Sequence, residues 1–417
     1  MRNIISFWNR TSLVLKIFVG LIIGVILGIT APQLTILSIP GTLFVSALKA
    51  MAPILVAVLV ASALSKAGSR LGRRFRTVIT FYIATTLMAA LVAVIGSFLF
   101  PVEILLRTTS ASGAPCSLTD VLGNMMHKLT DNPVSCLTEA NYIGILFWAI
   151  IVGLGLKMKA SERTIGVVSD LAEVISTIIR WIIQFAPLGI MGIVFTSVSE
   201  SGLEVFTTYG RLLCLLVGGM LFSALVVNPI LVGTYLRANP FPLIGICLKH
   251  SAVSAFFTRS SAANIPVNMA LCKRLDLDPD FYSVSIPLGA TINMQGAAVT
   301  ITVMTLAVCH TLGIAVSLPA AFALSALSTL GACGSSGVAG GSLLLIPMAC
   351  SMFGIDNDVA MQAVAVGFVI GVVQDSVETA LNSSSDVLFT IAAELRAKGK
   401  KPSDIQLGSY FKTGSKN

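Results

Sequence analysis

Charge is what this sequence lacks most. Only 11% of its 417 residues are Asp, Glu, Lys or Arg, against about 25% in a typical soluble domain. With 55% hydrophobic residues, too little polar surface exists to cover the chain in water, which excludes an ordinary soluble enzyme or binding module. At about 20 apolar residues per span, the length accommodates roughly eight membrane helices and their loops. Histidine is almost absent, with three residues, so catalysis that needs an imidazole base has few places to reside. The eight cysteines show no metal-binding spacing. Cys214, Cys247, Cys272, Cys309, Cys333 and Cys350 lie in or beside apolar segments and read as inert buried thiols. Cys116 and Cys136 share one polar loop, and their spacing alone does not decide whether they pair.

What is present is a series of long apolar runs, and 35 glycines that suit close helix packing in lipid. The runs fall near 17–37, 43–65, 77–100, 141–156, 175–198 and 210–236. Arg2, Arg10 and Lys16 precede the first, in the manner of a signal peptide. A retained span is the better reading, because the next run pairs with it as a hairpin. The net charge of +8 comes from basic clusters in short loops: 66–76, 157–163, 237–249, 273–274 and 396–401. No basic face interleaves with aromatics, so no nucleic-acid partner is expected. Placing every cluster inside leaves the spans alternating without conflict, with both termini cytoplasmic and loop 101–140 outside.

After Pro240 the pattern changes. Segment 243–270 is interrupted by Thr258-Arg259-Ser260-Ser261 and carries basic residues at both ends, so it enters and leaves on one side. Segment 317–351 is interrupted by a glycine- and serine-rich stretch, Gly331 to Gly341, and its ends read as outside. Between them, 281–309 reads as a span broken at Asn293-Met294-Gln295-Gly296. The last span, 358–393, has a polar middle. Two re-entrant hairpins entering from opposite sides are the trace of an inverted repeat. Irregular backbone at membrane depth survives only where protein or a wet cavity satisfies it, so the two tips point to a site between them.

Asp375, Glu378, Thr379, Asn382 and Asp386 stand at offsets 0, 3, 4, 7 and 11, which is one face of a helix. Carboxylates inside a membrane are costly unless partnered. Such a stripe serves a cation path or a substrate amine, or it locks helices together as an ion-pair network. The break at Asn293 would release carbonyl oxygens near Gly289, Thr291 and Asn293, suited to a small hard cation. Backbone N–H groups at the hairpin tips suit a substrate carboxylate. Together the parts fit a zwitterion carried with a cation.

These motifs, with Gly41-Thr42-Leu43-Phe44 and Ser335-Ser336-Gly337-Val338, give the chain a resemblance to the glutamate-transporter superfamily, the dicarboxylate/amino acid:cation symporters. The likeness runs from Gly41 to about Phe389. It lies nearest to the bacterial sodium/serine-threonine branch. The resemblance implies an all-helical elevator carrier of eight transmembrane helices and two re-entrant hairpins, a homotrimer set in lipid in the cell inner membrane. Residues 1–240 would be mainly scaffold, with the third span travelling in the transport domain. Residues 241–395 would form that domain, and 396–417 a cytoplasmic tail. Ser260, Ser261 and Gly337 would hold the substrate carboxylate, Asp375 and Thr379 the ammonium, and Asn382 a further substrate hydrogen bond. One Na+ would sit on Asp386 with carbonyls of Gly289, Asn293 and Asn382. A second would lie among Thr291, Met294, Cys333 and Ser335. The implied activity is sodium-coupled import of L-serine and L-threonine. Proton coupling, or exchange of other small neutral or acidic amino acids, is the alternative.

Two departures from the acidic-substrate pattern matter. Glu378 stands where those carriers place an arginine, and a carboxylate there repels an acidic side chain. It either accepts the hydroxyl of the substrate or pairs with Arg259. Gln295 replaces an aspartate that serves a further sodium in glutamate carriers, although Tyr82, Thr85 and Thr86 are kept; that site is expected to be lost or much weakened. An intramembrane serine protease built on Gly334-Ser335-Ser336-Gly337 would need a histidine base. His127, His250 and His310 all precede the serines and read as loop or helix-end residues. A channel would repeat its filter as a ring, and this chain has one asymmetric site. Arg180 and Trp181 read as interfacial, Lys49 has no assigned role, and Pro53, Pro187, Pro229 and Pro266 read as kinks.

Overall fold

The computed structural model describes residues 13–66, 73–106, 131–335 and 340–400, with the single residues 126, 129 and 402. The described residues form helices and no β-strand. The first two helices are α1 (Leu13–Thr30) and α2 (Ile39–Lys66). Next come α3 (Arg73–Leu99), the short α4 (Pro133–Thr138) and α5 (Tyr142–Lys159). Then follow α6 (Glu162–Gln184), α7 (Ala186–Ser201), α8 (Val205–Phe222) and α9 (Asn228–Leu236).

Seven helical stretches among the described residues are long and apolar enough to cross a membrane, and the chain is a multi-pass membrane protein. They do not map one-to-one onto the expected eight spans. The run from Ala186 to Leu236 counts as one stretch, while α1 is not among the seven. The expected span 175–198 straddles two helices. α6 is amphipathic and buries Ala172, Ile175, Ser176, Ile179 and Ile183 on one face, which packs on α2. It ends at Phe185, where Pro187 occupies the first turn of α7; proline lacks an N–H and starts helices rather than continuing them. Pro229 similarly opens α9 directly after a π-turn, Ser223–Val227, that absorbs the missing bond.

α1 lies on α7 with backbones in contact. A Cβ at Gly20 would fall 2.2 Å from the Pro187 carbonyl oxygen, and one at Gly24 2.6 Å from that of Met191. Gly28 continues the row, so the glycines at every fourth residue form the contact face, as in close membrane helix pairs. α2 packs against α5, α6 and α7, whereas α3 packs against α8 and later helices.

The later half holds the interruptions. α10 (Phe241–Cys247), a π-turn and α11 (Val253–Thr258) make one arm of the first hairpin. α12 (Ser261–Arg274) makes the other. The chain reverses at Arg259, held at φ 52°, a region costly for a side chain of this size. α13 (Pro279–Ile292) and α14 (Gln295–Thr311) are one span broken at Asn293 and Met294. α15 (Leu318–Ala332) and α16 (Ile346–Met352) are the arms of the second hairpin. Of its tip, Cys333–Ser335 and Gly340 are described; Ser336, Gly337 and Val338 lie outside the described residues, as do Cys116 and His127. α17 (Asn357–Ala397) is one unbroken helix of 41 residues, about 60 Å at 1.5 Å per residue. Between α3 and the start of α13, Arg74 donates to Asp278 at 2.8 Å. That hydrogen bond holds the Asp278 carboxyl below its usual range. Lys49 of α2 pairs with Asp358 in the first turn of α17.

Candidate functional site

The polar stripe of α17 is buried as a whole. Asp375 is 2% exposed, Glu378 5%, Thr379 5%, Asn382 3% and Asp386 0%. Through their partners, the members of the stripe together join both hairpins and the broken span.

Asp375 ties the hairpins. Its Oδ2 accepts from Arg259 Nε at 2.7 Å and its Oδ1 from the Gly340 N–H at 3.2 Å. Arg259 also donates from Nη2 to the Gly371 carbonyl at 3.2 Å. The suggested Glu378–Arg259 pair is therefore not formed. From the first tip, the guanidinium reaches residues 375 and 371, about one and two turns earlier on the same helix. Glu378 instead faces α14, where a Cβ on Gly296 would fall 2.8 Å from the Glu378 Cα. Its Oε2 accepts from Thr300 Oγ1 at 2.7 Å, from Ser342 Oγ at 2.9 Å and from Gln374 Nε2. Thr379 returns its hydroxyl to the Asp375 carbonyl at 2.8 Å.

The break in α13–α14 is organised by amides. Asn382 Oδ1 accepts from the Gly296 N–H at 2.8 Å and so caps α14, while its Nδ2 faces Met294 Sδ at 3.4 Å. Asn293 Nδ2 donates to the Asn382 carbonyl at 3.1 Å, Ser385 Oγ at 2.7 Å and Asp386 Oδ1 at 2.8 Å. Asp386 Oδ2 is buried with no hydrogen-bond partner among the described residues. Gly289 lies directly against this carboxylate: a Cβ there would sit 2.5 Å from Asp386 Oδ1 and 2.7 Å from the Tyr82 hydroxyl. A buried carboxylate oxygen without a donor is costly. Carbonyls from an opened helix, amide oxygens and one such carboxylate are the ligand set of a small hard cation. No cluster of three His, Cys, Asp or Glu fit for a metal occurs among the described residues. Oxygen donors of this kind suit a hard cation.

The second tip meets this centre. Cys333 Sγ lies 3.4 Å from the Ile292 carbonyl, which brings the second tip to the stretch carrying Thr291 and Met294. Ser335 beside it is buried. The Thr291 hydroxyl bonds the Leu288 carbonyl at 2.7 Å. In the first hairpin, Ser260 Oγ caps α12 by accepting from the Ala263 N–H at 3.2 Å, and Ser261 is 2% exposed.

Several partners were not anticipated from sequence. Asn264 and Asn268 of the first hairpin bond Ser383 of α17, with Asn264 Nδ2 to Ser383 Oγ at 2.8 Å and Asn268 Nδ2 to the Ser383 carbonyl at 3.1 Å. Gln374, Thr300 and Ser342 bond Glu378. Their signal was available as isolated amides and hydroxyls in otherwise apolar helices, which carry no address until the helices are packed.

Relatives carry the same extent of chain. A serine/threonine transporter of Bifidobacterium adolescentis is 54% identical over 99% of this chain and 96% of its own length. One of Streptococcus agalactiae is 53% identical over 96% of this chain and all of its own, and one of Streptococcus thermophilus is 54% identical over the same shares. The sodium:dicarboxylate symporter family matches residues 13–395, a range that takes in both hairpins, the broken span and the whole stripe. Family and relatives are transporters, which answers the protease reading. The buried stripe, the two tips and the opened span thus belong to a carrier, and the chain is a member of the sodium:dicarboxylate symporter family.

Proposed function

We propose that the protein is a sodium-coupled symporter importing L-serine and L-threonine across the cytoplasmic membrane. The observation that carries the coupling is the buried, unpartnered Oδ2 of Asp386 beside the opened backbone at Asn293. The relatives' names as serine/threonine transporters support the substrate. In this reading Asp375 exchanges Arg259 for the substrate ammonium, with Thr379 beside it. Ser260, Ser261 and Gly337 take the substrate carboxylate, and Asn382 adds a hydrogen bond. One Na+ binds Asp386 with the carbonyls of Gly289, Asn293 and Asn382, and a second lies among Thr291, Met294, Cys333 and Ser335. Glu378 excludes acidic side chains by like-charge repulsion. The assembly is a homotrimer with cytoplasmic termini. Purified protein in vesicles, given sodium and proton gradients separately, tests this: labelled serine should accumulate on the sodium gradient alone. Accumulation on a proton gradient without sodium would overturn the coupling.

An elevator is the mechanism we favour, with residues 241–395 and α3 moving against α1, α2 and α5–α7. The packing of α3 on α14 and α15 rather than on α2 supports that division. The register of the two parts supports motion. With Ile39 as the outer end of α2, Lys49 lies ten residues inward, about 15 Å at 1.5 Å per residue. Its partner Asp358 stands at the very start of α17. A Cβ at Gly334 of the second tip would lie 2.5 Å from Val60 Cγ2, six residues from the inner end of α2. The hairpin part thus sits low against its scaffold. In a background with the exposed Cys214 replaced and Cys333 kept, bridging Lys49→Cys to Asp358→Cys should lower serine uptake at least about tenfold, because the limiting movement is blocked. A reductant should restore it. Full uptake through the bridged protein would rule out movement between these helices.

A further inference from the structure

We propose that Ser342, Thr300 and Gln374 are positioning residues that aim Glu378 at the substrate hydroxyl, and that they set the preference for serine and threonine over alanine. The inference rests on the proposed amino-acid site and deepens it.

Three donors converge on a single oxygen. Ser342 Oγ lies 2.9 Å and Thr300 Oγ1 2.7 Å from Glu378 Oε2, and Gln374 Nε2 reaches the same atom. The donors are linked: Gln374 Nε2 also donates to Thr300 Oγ1 at 2.7 Å. The carboxylate cannot turn without releasing all three. Thr300, Gln374 and Ser342 are each 1% exposed or less, so water does not readily replace a lost donor. Oε1 accepts no hydrogen bond from any described residue. The clamp therefore fixes one oxygen and leaves the other as an acceptor of defined direction.

The position of that acceptor matches a hydroxyl amino acid. Glu378 follows Asp375 by three residues, so the two carboxylates are neighbours on one helix face, with Cβ atoms about 5–6 Å apart. With the ammonium on Asp375, a β-hydroxyl two carbons away falls next to Glu378. The second hairpin touches both carboxylates, through the Gly340 N–H to Asp375 and the Ser342 hydroxyl to Glu378. That hairpin therefore contributes to the ammonium site and the hydroxyl site together. A substrate lacking the hydroxyl leaves a buried charged acceptor unpaired, which is how a polar site rejects an apolar analogue.

The test is sodium-driven uptake by the full-length protein in vesicles, with kcat/KM measured for L-serine and L-alanine. In the wild type, serine should be preferred, and O-methyl-L-serine, which cannot donate, should rank with alanine. Ser342→Ala and Thr300→Val should each cut the serine-to-alanine ratio by about tenfold, the loss expected when one donor to a charged acceptor is removed. Thr300→Ser should restore it. A ratio that stays constant while both rates fall would show a structural role only and overturn the proposal. If a variant does not fold, the wild-type ranking still decides: O-methyl-L-serine taken up as well as serine would overturn it. Absence of any sodium-driven serine uptake by the wild type would instead strike the proposed function.

Discussion

Asp386→Asn is expected to abolish sodium-driven serine uptake and to lower sodium affinity by two orders of magnitude or more. Asp386 is fully buried, and only its Oδ1 is satisfied, by Asn293 at 2.8 Å. Oδ2 accepts no hydrogen bond from any described residue, and we propose that it binds Na+. Removing one member of a buried charge pair costs about 3–5 kcal/mol, which is roughly a hundredfold to several thousandfold in affinity. The amide keeps the shape of the carboxylate, so the fold should survive. It also removes an uncompensated buried charge, so the sodium-free variant should melt no lower than the sodium-free wild type. What disappears is the rise in melting temperature on adding sodium. Because coupling is reciprocal, serine affinity should lose its sodium dependence to the same degree. A variant that is still stabilised by sodium would remove Asp386 from the cation site.

Gln295→Asp should add a sodium ion to each transport cycle. Gln295 is fully buried; its Nε2 donates to Asn293 Oδ1 at 3.3 Å, and its Oε1 has no partner among the described residues. The amide thus offers a donor where an aspartate would offer a charged acceptor. Tyr82, Thr85 and Thr86 on α3 are buried, and α3 packs along α14. One additional charge moving through 100 mV contributes about 2.3 kcal/mol, about fiftyfold in the limiting accumulation of serine. Reversal-potential measurements on wild type and variant check this. An unchanged ratio of sodium to serine would show that the side chain at 295 does not control that position.

The interruptions were legible in the sequence because a break at membrane depth needs residues that an apolar helix does not. Thr258-Arg259-Ser260-Ser261 and Asn293-Met294 announce themselves in this way. The stripe on α17 was legible because helical spacing alone puts Asp375 and Asp386 on one face. The boundary between α6 and α7 was not. The buried face of α6 ends in Ile179 and Ile183, so its apolar character runs without a gap into the apolar start of α7. Nor could the partner of Arg259 be read. Asp375 and Glu378 are one turn apart, and only the φ of 52° at the tip and the packing of Gly296 on Glu378 separate them. The donors to Glu378 come from positions 300, 342 and 374, which only tertiary packing gathers.

The unbroken course of α17 has a consequence for sidedness. Asp375, Glu378, Asn382 and Asp386 ride on one rigid rod, so their mutual spacing is the same whichever compartment the cargo faces. In the proposed transport cycle, any inequality between uptake and release affinities would then originate in the hairpin tips and the Asn293 joint, the parts of the cradle that α17 does not carry.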